Sequence, residues 1–244
     1  MRSGDKKGSH VGVVLSFVIF LTFLVFLYSI LQPAIKMEKD KEYFLDYLEN
    51  QLIEKISADL TSLSITINEM VTFQPNKDCV KLNDAHDEIG DFIEEGNLKA
   101  RDDSNVAIQS YYQNHLSLEN PNEEKFYKIY GSEKFISLEG DLNGCNSISK
   151  EQYSVSSART EKYVFESSVD ELINSYSNDY DALKIELNIP PMHNFGISFT
   201  DADGNTKSTN ERAVSASIYA KAKTIQYIDD DAAILVGSIT IKVW

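Results

Sequence analysis

From Val11 to Leu31 the chain reads VGVVLSFVIFLTFLVFLYSIL, an apolar run with no charge in it. At 1.5 Å rise per residue such a helix spans about 30 Å, the thickness of a bilayer's hydrocarbon core. Gln32-Pro33-Ala34 follows, and Pro33 predicts a kink or an interruption. Beyond it Leu45, Leu48, Leu52, Ile56, Leu60 and Leu63 recur at steps of three and four, with charged residues on the other face. That spacing predicts an amphipathic helix from Met37 to Asp59, continuous with the first or separate from it. Near Thr61 the period changes to two: Leu63, Ile65 and Ile67 alternate with Ser64, Thr66 and Asn68, as in a strand.

Shorter elements follow. Cys79-Val80-Lys81-Leu82 reads as a strand after the Gln74-Pro75-Asn76 turn. Ile89, Phe92 and Ile93 predict a short helix ended by Gly96. Strands are expected around Val106–Tyr112, Lys125–Ile129 and Phe135–Leu138. Val169, Leu172, Tyr176, Tyr180, Leu183 and Leu187 predict one helix over 168–188, with Ser168 and Glu171 as a capping box and Pro190-Pro191 as the stop. Phe195–Thr200 reads as a strand and Asp203-Gly204 as a hairpin turn. Val214, Ala216, Ile218, Ala220 and Ala222 alternate, and Ile225 and Tyr227 then take the opposite parity, which predicts a bulge near Thr224. Asp229-Asp230-Asp231 turns the chain into a last strand, Leu235 to Val243, with Trp244 expected to be anchored in the sheet.

The fold class that results is α+β: an N-terminal transmembrane helix continuing into an amphipathic stem helix, then an antiparallel β-rich ectodomain with one internal helix. The boundaries are a cytoplasmic leader over 1–10, a membrane helix over 11–31, a stem over 32–60 and a head over 61–244. The apolar run is longer than the core of a secretory signal, and no A-x-A-like site follows it, so an uncleaved single span is expected. Arg2, Lys6 and Lys7 before the span favour a cytoplasmic N-terminus and an extracellular head, although Lys36, Lys39 and Lys41 on the far flank reduce the contrast. Gly12 and Ser16, four residues apart, form a small-residue face on which two helices can approach closely, or a patch that simply meets lipid.

Composition narrows the partners. The net charge is −15, and the part beyond residue 31 carries 20 basic and 37 acidic groups, net −17. No basic stripe exists to neutralise phosphates, which excludes nucleic acid as a partner. The same balance argues against broad docking of the head on anionic lipid. Cys79 and Cys145 are the two cysteines. In an oxidising exterior such a pair predicts a disulfide, the alternative being two buried thiols.

No catalytic motif is complete in the sequence. Asp201-Ala202-Asp203-Gly204-Asn205 begins like a calcium loop, but glycine falls fourth and Arg212 stands twelfth where the loop needs glutamate, so it reads as a hairpin turn. His10, His86, His115 and His193 lack zinc-protease spacing. Asp84, His86 and Asp87 read as a solvated acidic loop. Ser147-Ile148-Ser149-Lys150 fits S-x-x-K by letters alone, without the companion motifs of such hydrolases. No catalytic, metal or cofactor residue is assigned, and no cofactor is implied.

Lys6-Lys7-Gly8, followed at once by the apolar helix, resembles the class III signal of archaeal type IV pilin-like proteins. The resemblance covers roughly the first 60 residues, including the break at Pro33 and the stem. It implies that a prepilin-type peptidase cuts between Gly8 and Ser9. It also implies that the apolar helix packs with copies of itself or other pilin-like subunits in a filament core, and that the β-rich head faces outward. The fifth residue after that cut, a glutamate in bacterial pilins, is Val13 here. The expected function is thus a pilin-like structural subunit or minor component of a surface appendage. The alternative is a monomeric single-pass ectodomain that binds a partner or ligand; an enzyme is not expected.

Overall fold

The computed structural model describes the backbone of residues 9–136, 140–210 and 218–244, and their side chains except at 9–10 and 33–40. The chain divides into two compact units, Met1–Tyr47 and Leu48–Trp244. The first helix, α1 (Ser9–Ile56), carries helical backbone through Pro33 without interruption.

Strand β1 (Ser57–Ile67) follows α1 directly. The expected helix through Asp59, and the stem boundary at 60, therefore end too late. The misreading has a physical cause. Leu60 and Leu63 continue the helical spacing, yet they sit on opposite faces of a strand whose buried face changes along its length: Ala58 and Leu60 are buried beside an exposed Asp59, and Leu63, Ile65 and Ile67 are buried beside an exposed Thr66. Leu60 packs with Ala58, Tyr130 and Phe165, whereas Leu63 packs with Ile65, Tyr127 and Ile129. Where the buried parity changes, the first residues of the strand show no single period of two. Ser57 closes the helix by donating its hydroxyl to the Ile53 carbonyl at 2.6 Å.

β1 is the centre of a ten-stranded sheet. It pairs antiparallel with β7 (Phe126–Gly131), β9 (Tyr153–Val155) and β10 (Arg159–Phe165). Outward from β7 lie β3 (Leu98–Arg101) and β4 (Ala107–Ile108). Outward from β10 lie β13 (Tyr219–Ile228), β14 (Ile234–Val243), β11 (Phe195–Thr200) and β12 (Thr206–Ser208). A four-stranded sheet, in the order β5 (Ser110–Tyr112), β6 (Leu116–Glu119), β2 (Cys79–Leu82) and β8 (Asn146–Ile148), packs Val80, Leu82, Leu116 and Leu118 against Leu63, Ile65, Tyr127 and Ile129. Two contacts are parallel, β2 with β8 and β10 with β13, so the sheets are antiparallel-rich and not wholly antiparallel.

The single strand expected over Val106–Tyr112 is two. β4 joins the large sheet and β5 the small one, and the chain changes sheets at Gln109, whose N–H is taken by Glu119 Oε2 at 3.2 Å. The strand expected at Phe135–Leu138 is not formed at Phe135, which is a buried turn residue; its end lies outside the described residues. The short helix α2 is Ala85–Ile89, so Phe92 and Ile93 fall in the turn after it.

The one internal helix expected over 168–188 is broken into α3 (Glu166–Asn178) and α4 (Tyr180–Glu186). Asp179 makes the break and accepts the Ala182 N–H at 3.0 Å as the cap of α4. α3 begins straight after β10, which places Ser168 inside its first turn. Ser168 is buried there without a hydrogen-bond partner, so the capping box is absent. The apolar positions read correctly: Tyr176, Tyr180 and Phe195 form an aromatic cluster with ring centroids 4.7–5.6 Å apart.

β13 and β14 pair in continuous register from Tyr219↔Val243 to Ile228↔Ile234, with no bulge at Thr224. Ala220, Ala222 and Thr224 are exposed, so their alternation reports no core face; burial begins at Ile225. Val214 and Ala216 lie outside the described residues. Asp229 Oδ1 accepts the N–H groups of Asp231 and Ala233 at 3.0 and 2.7 Å and shapes the hairpin turn. Trp244 is buried and exchanges two backbone hydrogen bonds with Asn194. Cys79 and Cys145 form a disulfide that ties the start of β2 to the segment entering β8; closing a loop of that size stabilises a fold by about 4 kcal/mol in the chain-entropy model.

Gly237 lies where β14 meets β11. A Cβ there would stand 2.6 Å from the Thr200 carbonyl oxygen, which is backbone and cannot yield. Gly237→Ala is expected to cost about 1–3 kcal/mol and to lower the melting temperature of the full chain in detergent by several degrees; an unchanged melting temperature would contradict this packing.

Candidate functional site: an uncovered apolar helix and two polar clasps on the head

The segment Val11–Gln32 of α1 is long and apolar enough to cross a membrane, and none of it is buried against the protein. A signal sequence near the N-terminus passes the same test of length and composition. Seventeen large apolar side chains there are exposed, from Val11 to Leu31. At roughly 1 kcal/mol for each half-exposed side chain, leaving them in water costs on the order of 15 kcal/mol, as much as the whole stability of a domain. Two hydroxyls within the segment are bonded to the helix itself. Thr22 donates to the Ile19 carbonyl at 2.9 Å and Ser29 to the Val25 carbonyl at 2.8 Å.

Gly12 and Ser16 lie four residues apart on this helix, and a Cβ added to Gly12 meets nothing within 4 Å. Gly8 lies outside the described residues, and Ser9 is the first helical residue.

On the head, α1's last turns are clasped by charge. Glu49 is buried, and its carboxylate lies 2.7 Å from both the Lys221 and Lys223 ammonium groups. Residues 221 and 223 are two apart on β13 and so share a face. Burial opposes ionisation of Glu49, but the two lysine hydrogen bonds outweigh it and hold the carboxyl below its usual range.

A second clasp gathers on the small sheet. Asp141 Oδ1 accepts the Ser117 hydroxyl at 2.6 Å, and its Oδ2 meets the Lys81 ammonium at 3.1 Å and His115 Nε2 at 3.0 Å. Lys81 and Ser117 are direct register partners on β2 and β6. Burial again opposes ionisation, but the bonds from Ser117, Lys81 and His115 prevail and bring Asp141 down to about 2. Serine, histidine and aspartate meet here in the wrong order for nucleophilic catalysis. The carboxylate stands between Ser117 and His115, whereas a triad needs the imidazole next to the hydroxyl. The cluster fastens the chain at Asp141 to the sheet.

The other sequence candidates resolve as structure. Asp201 accepts the N–H groups of Asp203 and Asn205 and the Asn205 side-chain amide, at 2.8–2.9 Å. The Asn205 bond leads in holding its carboxyl below the usual range. Among the described residues no group of three or more His, Cys, Asp or Glu is arranged to hold a metal; Arg212 lies outside them. Lys150 pairs with Glu88 and Ser147 with Asn83, so the S-x-x-K letters do not form a site. His86 stands 3.3 Å from the Tyr112 hydroxyl. Burial and then Glu95 push that phenol up to about 12, too high for a base at neutral pH. Neither clasp was found from sequence, because Glu49 and Lys223 are 174 residues apart, and Asp141 and Lys81 are 60 apart. The paired lysines at 221 and 223 were the one local signal.

No protein family model matches the chain, and no curated protein or solved structure matches it.

The Asp141 clasp has a defined pH signature. A carboxyl depressed in the folded state stabilises it above the ordinary value of 3.8 and loses that contribution as pH falls toward about 2. Asp141→Asn is expected to melt lower than the wild type at pH 7, with the gap closing between pH 4 and pH 2. A gap that stays constant across that range would contradict the ionised clasp.

Proposed function

We propose that this chain is a single-pass membrane protein of the pilin-like kind. In this reading its N-terminus is cytoplasmic, its acidic head is displayed outside, and its apolar helix both anchors it and packs against copies of itself. The observation that carries the reading is the complete exposure of the apolar segment Val11–Gln32. A helix of that composition calls for hydrocarbon or other apolar helices around it. The Lys6-Lys7-Gly8 leader and the small-residue face at Gly12 and Ser16 support the pilin-like form of the reading. Because Val13 stands where bacterial pilins carry glutamate, the association relies on side-chain packing without a charge partner. The disulfide between Cys79 and Cys145 suits an oxidising exterior.

A monomeric anchored ectodomain that binds a partner is the second reading. An open groove on the head, between β10 and β13, favours it.

Two measurements separate these readings. Sequencing the mature N-terminus from the membrane fraction is expected to return Ser9 as the first residue; an intact Met1 would overturn the processed, pilin-like route. Gly12→Leu leaves the fold untouched, since the site is open. It is expected to reduce surface fibres of this polypeptide by tenfold or more while its membrane content is unchanged. Equal fibre yield from the variant would contradict packing through that face.

A further inference from the structure

The large sheet has a gap in it. β10 and β13 are neighbours, but they pair only at Val164↔Tyr227 and Phe165↔Ile228. β10 begins at Arg159 and β13 at Tyr219, so both strands run on from those two pairs toward their N-termini without pairing to each other. Each is paired along its other side, β10 to β1 and β13 to β14. Between them lies an open groove of about 580 Å³, lined by Ile53 in the last turn of α1 and Ser57 at the start of β1, by Tyr163 and Val164, and by Lys223 and Ile225.

The register states what β13 offers to this groove. Asp229 donates its N–H across the hairpin to Ala233, so the odd residues of β13 bond to β14. The even residues Ala220, Ala222, Thr224 and Gln226 therefore turn their backbone N–H and C=O groups toward β10. The charged groups around the groove are already engaged: Lys223 with Glu49 and Lys162 with Glu54. What remains to recognise a ligand is a row of backbone donors and acceptors at strand spacing, beside Ile53, Val164 and Ile225.

We propose that this groove binds an extended segment of a different polypeptide, not a second copy of this chain, which inserts between β10 and β13 as an additional strand. Only a peptide backbone repeats donors and acceptors at the roughly 3.4 Å spacing of a strand. The preferred direction is antiparallel to both walls, which are themselves parallel to each other. The inserted segment carries apolar side chains at alternate positions, facing Ile53 and Ile225, and no charge, because the rim charges are paired within the head. The inference does not depend on the membrane reading: it concerns the head alone and stands or falls separately.

The test uses the full chain in detergent and a synthetic, uncharged heptapeptide of alternating valine and threonine. Hydrogen exchange is followed by mass spectrometry. The peptide is expected to slow amide exchange at least tenfold in 159–163 and 220–226, with no change in β5, β6 or β11. The same peptide N-methylated at alternate residues lacks the donors for one wall and is expected to lose that protection. Thr224→Pro removes a donor that β14 does not use and is expected to weaken binding at least tenfold; should that variant fail to fold, the N-methylated peptide carries the comparison on the unaltered chain. No protection by the parent peptide, or equal protection by its N-methylated form, overturns the proposal. Protection of 159–163 and 220–226 that appears without peptide, and only as protein concentration rises, also overturns it, by making a second copy the occupant.

Discussion

Water is a poor solvent for the first part of α1, and that constraint orders everything else in this protein. Seventeen large apolar side chains between Val11 and Leu31 find no cover in the fold. Their exposure in water would cost as much as a domain's stability supplies. Thr22 and Ser29 turn their hydroxyls back onto carbonyls of the same helix, which lowers its polar demand. An uninterrupted helix bonds its own backbone, so what the segment chiefly calls for is apolar neighbours, the condition that hydrocarbon or like helices satisfy.

The head meets α1 through a buried carboxylate and not through apolar packing alone. Leu48, Leu52 and Ile56 are fully buried, and Glu49 beside them is fixed by Lys221 and Lys223. Removing one partner of a buried ion pair strands the other, which makes such a clasp more specific than strong. It fixes which strand lies under the end of the helix. That same strand, β13, then diverges from β10 and leaves the groove. The placement of the helix end and the opening in the sheet are in this sense one arrangement.

Much of the fold was legible where local chemistry and burial agreed. Cys79–Leu82 and Phe195–Thr200 read correctly to the residue, since turn residues bound each run. The period change after α1 reads four residues late, because the buried face of β1 changes between Leu60 and Leu63 and those leucines mimic helical spacing. Asp179 falls inside the one helix expected over 168–188, yet its side chain caps the next turn and splits α3 from α4. The apparent slip at Thr224 came from exposed alanines whose parity carried no information. The candidate site was legible only in its anchor. The Glu49 and Asp141 clasps, and the gap between β10 and β13, join residues far apart in the chain. No local pattern encodes such meetings; they follow from sheet order, which periodicity does not report.

The proposed function requires that hydrocarbon or like helices surround Val11–Gln32. The most direct measurement is an alkaline carbonate wash of membranes from cells making the full chain, followed by flotation of the washed membranes. The account predicts that the polypeptide stays with the lipid and leaves it only on addition of detergent. Release of the full-length chain into the wash as a soluble, monodisperse protein would contradict it.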